Sequence, residues 1–153
     1  MKNFITDLSP SKAAMVVGIA FITSVFIVTL VDDLLLANFV IPGDTAALAR
    51  DIEANGRVFG LAVVGYLLVL ACDSIIGLAL YVVLKQANKT LASVTAALRL
   101  LYAGILVIGI FALVFQIINV YGYAFVKLIG YVFFALHIFV LGYSVFKSGY
   151  IPK

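Results

Sequence analysis

Charged residues are scarce in this chain of 153 residues, and the few that occur form no basic patch. Only 11% of the residues are charged and 65% are hydrophobic, whereas soluble domains have about 25% charged and about 45–50% apolar residues. A water-soluble core of this size could not bury so much apolar surface, so lipid is the expected solvent. The net charge of +3 is too small and too scattered to indicate nucleic-acid binding.

Cysteine and histidine occur once each, as Cys72 and His137. A single cysteine excludes an intramolecular disulfide and a cysteine-rich metal site, and we interpret Cys72 as a small, buried apolar residue. The sequence also lacks a second histidine, paired glutamates, a phosphate-binding loop and a nucleophile elbow. Haem ligation would need a second axial ligand or an open site. We therefore expect no enzymatic activity, no metal and no bound cofactor.

Four long apolar segments make up most of the chain. Each exceeds the roughly 20 residues that a helix needs to cross about 30 Å of hydrocarbon, and lipid requires backbone groups to bond within the segment. The expected fold is an all-α integral membrane four-helix bundle in one domain, 1–153, with helices at about 11–36, 57–84, 91–118 and 123–147. Ser9 and Pro10 are typical of a helix start. We expect the first segment to be a retained helix, because it is too long for a cleaved signal peptide.

The connections between these segments predict the topology. A tight turn at 119–122 would make the third and fourth helices an antiparallel hairpin. In the first loop, Asp44 is a good N-cap for a short amphipathic helix at about 45–54, which Asn55 and Gly56 would end. We expect this loop helix to lie on the outer membrane surface or across the mouth of the bundle.

Basic residues at the two ends of the predicted bundle differ in number and set its orientation. One end carries lysines from three regions of the sequence, Lys2, Lys12, Lys85, Lys89, Lys147 and Lys153. The positive-inside rule then predicts a multi-pass protein of the cytoplasmic membrane with both termini in the cytoplasm. The outer side carries a mixed acidic and basic cluster, Asp32, Asp33, Asp44, Arg50, Asp51, Glu53 and Arg57. Within it, the adjacent carboxylates of Asp32 and Asp33 are solvated, pair with Arg57 or bind a cation.

Long stretches of the chain resemble a known family. They are the loop and second helix PGDTAALARDIEANGRVFGLAVVGYLL, the join LALYVVLKQANKTLASVTAALRLLYA and the last helix FFALHIFVLGYSVFKSGYIP. All are similar to domain-of-unknown-function family 4386, which comprises multi-pass bacterial and archaeal membrane proteins. Typical members continue past the Ile-Pro with further apolar segments, so the resemblance implies a short or a truncated form. It also implies a helical membrane fold and no particular activity, and Asp51 stands where the family commonly has Asn.

Three polar residues interrupt the apolar segments at similar depth. A charged side chain at the bilayer centre costs about 2.5–3.5 kcal/mol on insertion scales, so Asp73 must be paired, protonated or lined by water. Counted from the 85–90 loop and with 1.5 Å rise per residue, Asp73 and Arg99 differ in depth by only about 3 Å. We therefore predict an Asp73–Arg99 ion pair, serving either as structural glue or as part of a proton or substrate path. His137 either donates to a neighbouring helix or relays protons with Asp73.

Two further positions lie near the outer surface. Lys127 is one turn inside the fourth helix and is expected to extend its ammonium outwards. Tyr123 is expected at the outer membrane interface.

These features favour one function and leave an alternative open. The first is a small non-enzymatic subunit or scaffold of a larger membrane assembly, with the lipid bilayer and other membrane subunits or further copies as partners. The alternative is a proton-linked transporter or small-ligand-binding protein that uses Asp73, Arg99 and His137. No internal transporter repeat is visible, and a membrane enzyme has the weakest support.

Overall fold

The first helix begins at the predicted hydroxyl cap. The computed structural model describes residues 8–35 and 45–148, without the side chains of residues 45–49, 51 and 120. The backbone N–H of Lys12 donates to Ser9 Oγ (3.5 Å), and Pro10 occupies the first helical position, where its missing N–H costs nothing. Helix α1 spans Pro10–Thr29, which confirms the expected start.

Helix α1 continues into a π-helical turn, Leu30–Leu35. π-helical turns are rare in proteins, and those that occur are often found at functional sites. Here two consecutive residues contact the next helix, α2 (Thr45–Leu84). Val31 packs so closely against Gly65 that a Cβ there would collide with it, and Asp32 contacts Tyr66. The π turn therefore brings a carboxylate into the helix interface.

Helix α2 spans Thr45–Leu84 and includes the segment expected to form a separate loop helix. Asn55 has non-helical angles (φ −123°, ψ 32°) and marks a kink. The kink divides α2 where the sequence predicts that the short loop helix ends and the second spanning helix begins. The proposed cap, Asp44, lies outside the described residues.

Asparagine caps the two remaining helices. Asn88 Oδ1 accepts from the N–H of Leu91 (3.0 Å) and starts α3, Lys89–Val114. Asn119 Oδ1 accepts from the N–H of Gly122 (2.8 Å) at the start of α4, Val120–Ser148. The turn between α3 and α4 lies before Asn119 and includes Gln116 at a left-handed φ of 55°. The predicted turn at 119–122 is therefore wrong, because Asn119 acts as a helix cap.

Helices α2 and α3 form the centre of the bundle. Helix α1 packs on α2, and α4 packs on α3. Half of the most apolar part of α2 is buried, compared with 11% for α1 and for α4. The flanking helices thus turn most of their apolar surface outwards.

Helices α3 and α4 pack in a fixed antiparallel register. Their contacts recur every seven residues on both helices, as in coiled coils. The contacting pairs are Gly109–Tyr123, Tyr102–Gly130 and Thr95–His137. Asn88 and Ser144, seven residues further along, line one cavity. At Gly109 and Gly130 the lack of a Cβ leaves room for a tyrosine ring from the other helix, because a Cβ would lie 3.2 Å and 3.3 Å from the ring.

The outward surface identifies the solvent. Four of the described helices are long and apolar enough to cross a membrane. Large apolar side chains on α1 and α4, including Ile22, Phe139 and Phe146, are among the most exposed in the chain. The described residues contain no β-strand, and the chain is an all-α membrane bundle, as the sequence predicts. We call the end with the α2–α3 loop the basic end and the end with the π turn the acidic end.

Candidate functional site

The Asp73–Arg99 pair joins the two central helices inside the bundle. Arg99 Nη2 lies 2.5 Å from Asp73 Oδ1, and the two side chains are only 3% and 2% exposed. Gly77, one turn from Asp73 on α2, also faces α3, since a Cβ there would be in van der Waals contact with Arg99 Cβ at 3.5 Å. The ion pair expected from equal depth is therefore present, and we call it the buried ion pair.

Aromatic rings complete the surroundings of Arg99. Its guanidinium carbon lies 4.9 Å from the ring centre of Phe134 on α4 and 6.0 Å from that of Tyr102. Ring faces attract cations, and they do so more strongly where water is excluded. Arg99 thus connects α2, through Asp73, with α4, through Phe134.

His137 faces α3 and does not hydrogen-bond to the ion pair. Its Nδ1 lies 2.9 Å from the backbone oxygen of Thr95, and the side chain is buried. A carbonyl oxygen only accepts, so Nδ1 carries the proton that it donates. Arg99 follows Thr95 by one turn, so the three predicted residues meet in one region. His137 belongs to this region because its ring donates a hydrogen bond to α3, the donation to a neighbouring helix that the sequence predicts.

Several polar atoms in this region lack a protein partner. Within the described part of the chain, Thr95 Oγ1, Arg99 Nε and His137 Nε2 are buried and make no hydrogen bond to protein. Buried polar groups are nearly always paired, so each exception needs an explanation. The region therefore contains donors and acceptors without protein partners next to the buried ion pair.

At the acidic end, a second set of polar side chains is in contact, and the sequence does not predict it. Lys127 Nζ on α4 lies 3.0 Å from Asp32 Oδ1 in the π turn and 3.4 Å from the hydroxyl of Tyr66 on α2, and that hydroxyl also donates to Asp32. Lys127 lies 5.3 Å from the ring centre of Tyr123. We call Asp32, Tyr66, Tyr123 and Lys127 the acidic-end cluster.

This cluster shows where three predicted residues lie. The ammonium of Lys127 contacts the Asp32 carboxylate and lies near the rings of Tyr66 and Tyr123. Asp32 pairs with Lys127 and not with Arg57. Tyr123 is buried against Tyr66, with ring centres 5.3 Å apart. Its hydroxyl is close to that of Tyr66 but reaches hydrogen-bond geometry with no described group.

The other described side chains of the predicted outer cluster lie on the surface. Asp33, Arg50, Glu53 and Arg57 are exposed. Asp44 and the side chain of Asp51 lie outside what the structure describes. No three His, Cys, Asp or Glu side chains among residues 8–35 and 45–148 are close enough to hold a metal ion.

Comparison with known proteins places the chain in a family. A family model described as Domain of unknown function (DUF4386) matches residues 13–124. The chain belongs to this family. An uncharacterized protein of Archaeoglobus fulgidus is 32% identical over 92 residues, which cover 60% of this chain and 54% of that protein. The match thus spans about half of the relative's length, and no solved structure matches the chain.

The DUF4386 match covers part of both polar groups. It includes Asp32, Asp73 and Arg99, and it ends before Lys127 and His137 on α4. The family description names no activity, so function has to be argued from the residues themselves.

Proposed function

We propose that this chain is a non-enzymatic membrane protein that serves as a small subunit or scaffold of a larger membrane assembly. The observation that supports it most is the internal pairing of two acids, Asp73 with Arg99 and Asp32 with Lys127, each between different helices. A charge held in this way fixes helix packing. It would have to leave its partner before it could react with a substrate.

The flanking helices offer a surface for partners. Helices α1 and α4 bury little of their apolar length within the chain, and Ile22 and Phe139 are exposed on them. Lipid alone can cover such surfaces, and so can the helices of another subunit.

The proposal includes a membrane and an orientation. Four lysines of the described residues, Lys12, Lys85, Lys89 and Lys147, lie at the basic end. By the positive-inside rule this end faces the cytoplasm of a cell membrane, and both termini lie on that side.

Photo-crosslinking in the native membrane tests the subunit role. A photoreactive residue would replace Ile22 on α1 or Phe139 on α4, with Ile76, buried in the core, as the control. We expect a discrete adduct with a different protein from at least one exposed position and none from Ile76. Lipid adducts alone from both exposed positions would contradict the proposal, and adducts with a second copy alone would replace the larger assembly by a homo-oligomer.

The alternative, a proton-linked transporter or small-ligand-binding protein, is favoured by the unpaired atoms around His137. A ligand that binds the folded state raises the melting temperature. The alternative therefore predicts that some small polar metabolite stabilises the purified chain, and that His137→Gln removes the shift while the lipid-facing Phe139→Leu keeps it. A shift that both variants retain would count against a site at His137.

A further inference from the structure

The three unpaired atoms around His137 fit one kind of ligand. Because Nδ1 donates to Thr95 O, Nε2 of the neutral ring is an acceptor without a donor. Arg99 Nε–H is a donor without an acceptor, and the Thr95 hydroxyl can do either. Water both donates and accepts hydrogen bonds, so water molecules match what each of the three atoms lacks.

A cavity at the basic end lies in line with this region. It has a volume of about 120 Å³ and is lined by Leu84, Ala87, Asn88, Ser144, Lys147 and Ser148. A cavity needs only about 10–15 Å³ to hold one water molecule. Asn88 and Lys147 are exposed, so the cavity opens towards the aqueous boundary, while Ser144 is buried at its inner wall.

The helix register connects the cavity to His137. Ser144 lies seven residues after His137 on the same face of α4, and Asn88, the N-cap of α3, lies seven residues before Thr95. Seven helical residues span about 10 Å. Between these levels, α3 carries the small, buried side chain of Ala92, and the half-buried Leu141 of α4 packs against the cluster of Ala20, Ile76 and Leu80. The polar ends of the seam between α3 and α4 are therefore separated by a thin apolar layer.

We propose that water enters from the cavity at the basic end, passes along the α3–α4 seam and hydrates His137, Thr95 and Arg99. The proposed site is a hydrated region inside the membrane that is reached from the basic end. The inference goes beyond the subunit role, which requires no internal water. A test of it therefore succeeds or fails independently of the crosslinking experiment.

The single histidine allows a direct test. Feeding ¹⁵N-histidine labels only His137, and in lipid nanodiscs the transfer of magnetisation from water to the ring nitrogens measures its contact with water. The matched control carries the only histidine at a lipid-facing position, as His137→Gln with Phe139→His. We expect water transfer to His137 and its loss in the control. Equal, negligible transfer in both proteins would overturn the hydrated site.

A pair of variants tests the route. Ser144→Leu fills the inner wall of the cavity, and the hydroxyl it removes only donates to Val140 O in its own helix. Gly142→Leu adds the same side chain on the exposed surface, where a Cβ would meet nothing within 4 Å. We expect Ser144→Leu to abolish water transfer to His137 and Gly142→Leu to preserve it. Undiminished transfer in Ser144→Leu would overturn entry along the seam.

Discussion

The buried ion pair and the acidic-end cluster use the same chemistry in different surroundings. Each joins an aspartate to a basic residue on another helix, and each places the cation near aromatic rings. Asp73 and Arg99 are 2% and 3% exposed, whereas Asp32 and Lys127 are 29% and 19% exposed. Only the first pair is almost completely enclosed by the protein.

The exposure of each pair therefore determines how much the loss of one partner lowers the free energy of unfolding. A buried pair costs desolvation when it forms, and it resists the loss of one partner because the other would remain charged in an apolar interior. Removing one partner of a partly exposed pair costs less stability, because water and salt can screen the remaining charge. The comparison predicts a graded series of effects on the free energy of unfolding.

The largest effect should follow from removing one member of the buried ion pair. Either Asp73→Asn or Arg99→Leu should lower the free energy of unfolding by about 3–5 kcal/mol, the range for a broken buried pair. The double variant should regain part of this loss, because no isolated charge remains. Reversible unfolding in mixed micelles measures all three. If the double variant is no more stable than the worse single variant, the two residues are not energetically coupled.

The next effect tests the register that holds α4 against α3. A Cβ at Gly109 would lie 2.7 Å from Val126 Cγ1 and 3.2 Å from the Tyr123 ring, so Gly109→Ala should lose about 1–3 kcal/mol through overpacking. Gly104, on the same helix, faces open space, and Gly104→Ala should gain up to about 1 kcal/mol in helix propensity. Thermal unfolding of the two variants should shift in opposite directions. Equal shifts would mean that the contact at Gly109 is not tight.

Sequence reasoning could predict the helices and the buried ion pair for a simple reason. Apolar length predicts spanning helices, and two charges at equal depth on helices joined by a short loop are close whatever the details of packing. His137 is harder, because the choice between a backbone and a carboxylate partner depends on helix rotation. The seven-residue spacing of Tyr123, Gly130 and His137 along α4 was the available signal for its contact with α3.

The acidic-end cluster could not be derived in this way. Asp32 and Lys127 are 95 residues apart on helices that are not neighbours in sequence, so no loop length restricts their distance. The π turn that brings Asp32 towards α2 is a small change of helical pitch, and composition does not signal it. Lys127 also had a plausible alternative in the nearby membrane surface.

A smaller effect is expected at the acidic end. Asp32→Asn or Lys127→Met should each lower the free energy of unfolding by about 1 kcal/mol, as for partly exposed pairs. Added salt should diminish the difference from the wild-type chain, because partly exposed charges are screened. The losses from Asp73→Asn should change less under the same salt series. The distinction between the two regions would disappear if Lys127→Met lowered the free energy of unfolding as much as Arg99→Leu does and added salt did not change that loss.

The smallest effect concerns the tyrosine that links Asp32 to α2. Tyr66→Phe removes one hydrogen bond to a carboxylate that keeps Lys127 as its partner, so the loss should be about 0.5–1 kcal/mol. Tyr121→Phe, at an exposed position two residues from Tyr123, is the control and should leave the unfolding transition unchanged. Because the Tyr66 hydroxyl acts through Asp32, its effect should shrink in the Asp32→Asn background, where the accepting carboxylate is lost. An undiminished effect there would show that the Tyr66 hydroxyl stabilises the bundle through another group, such as the Lys127 ammonium, and not through the carboxylate.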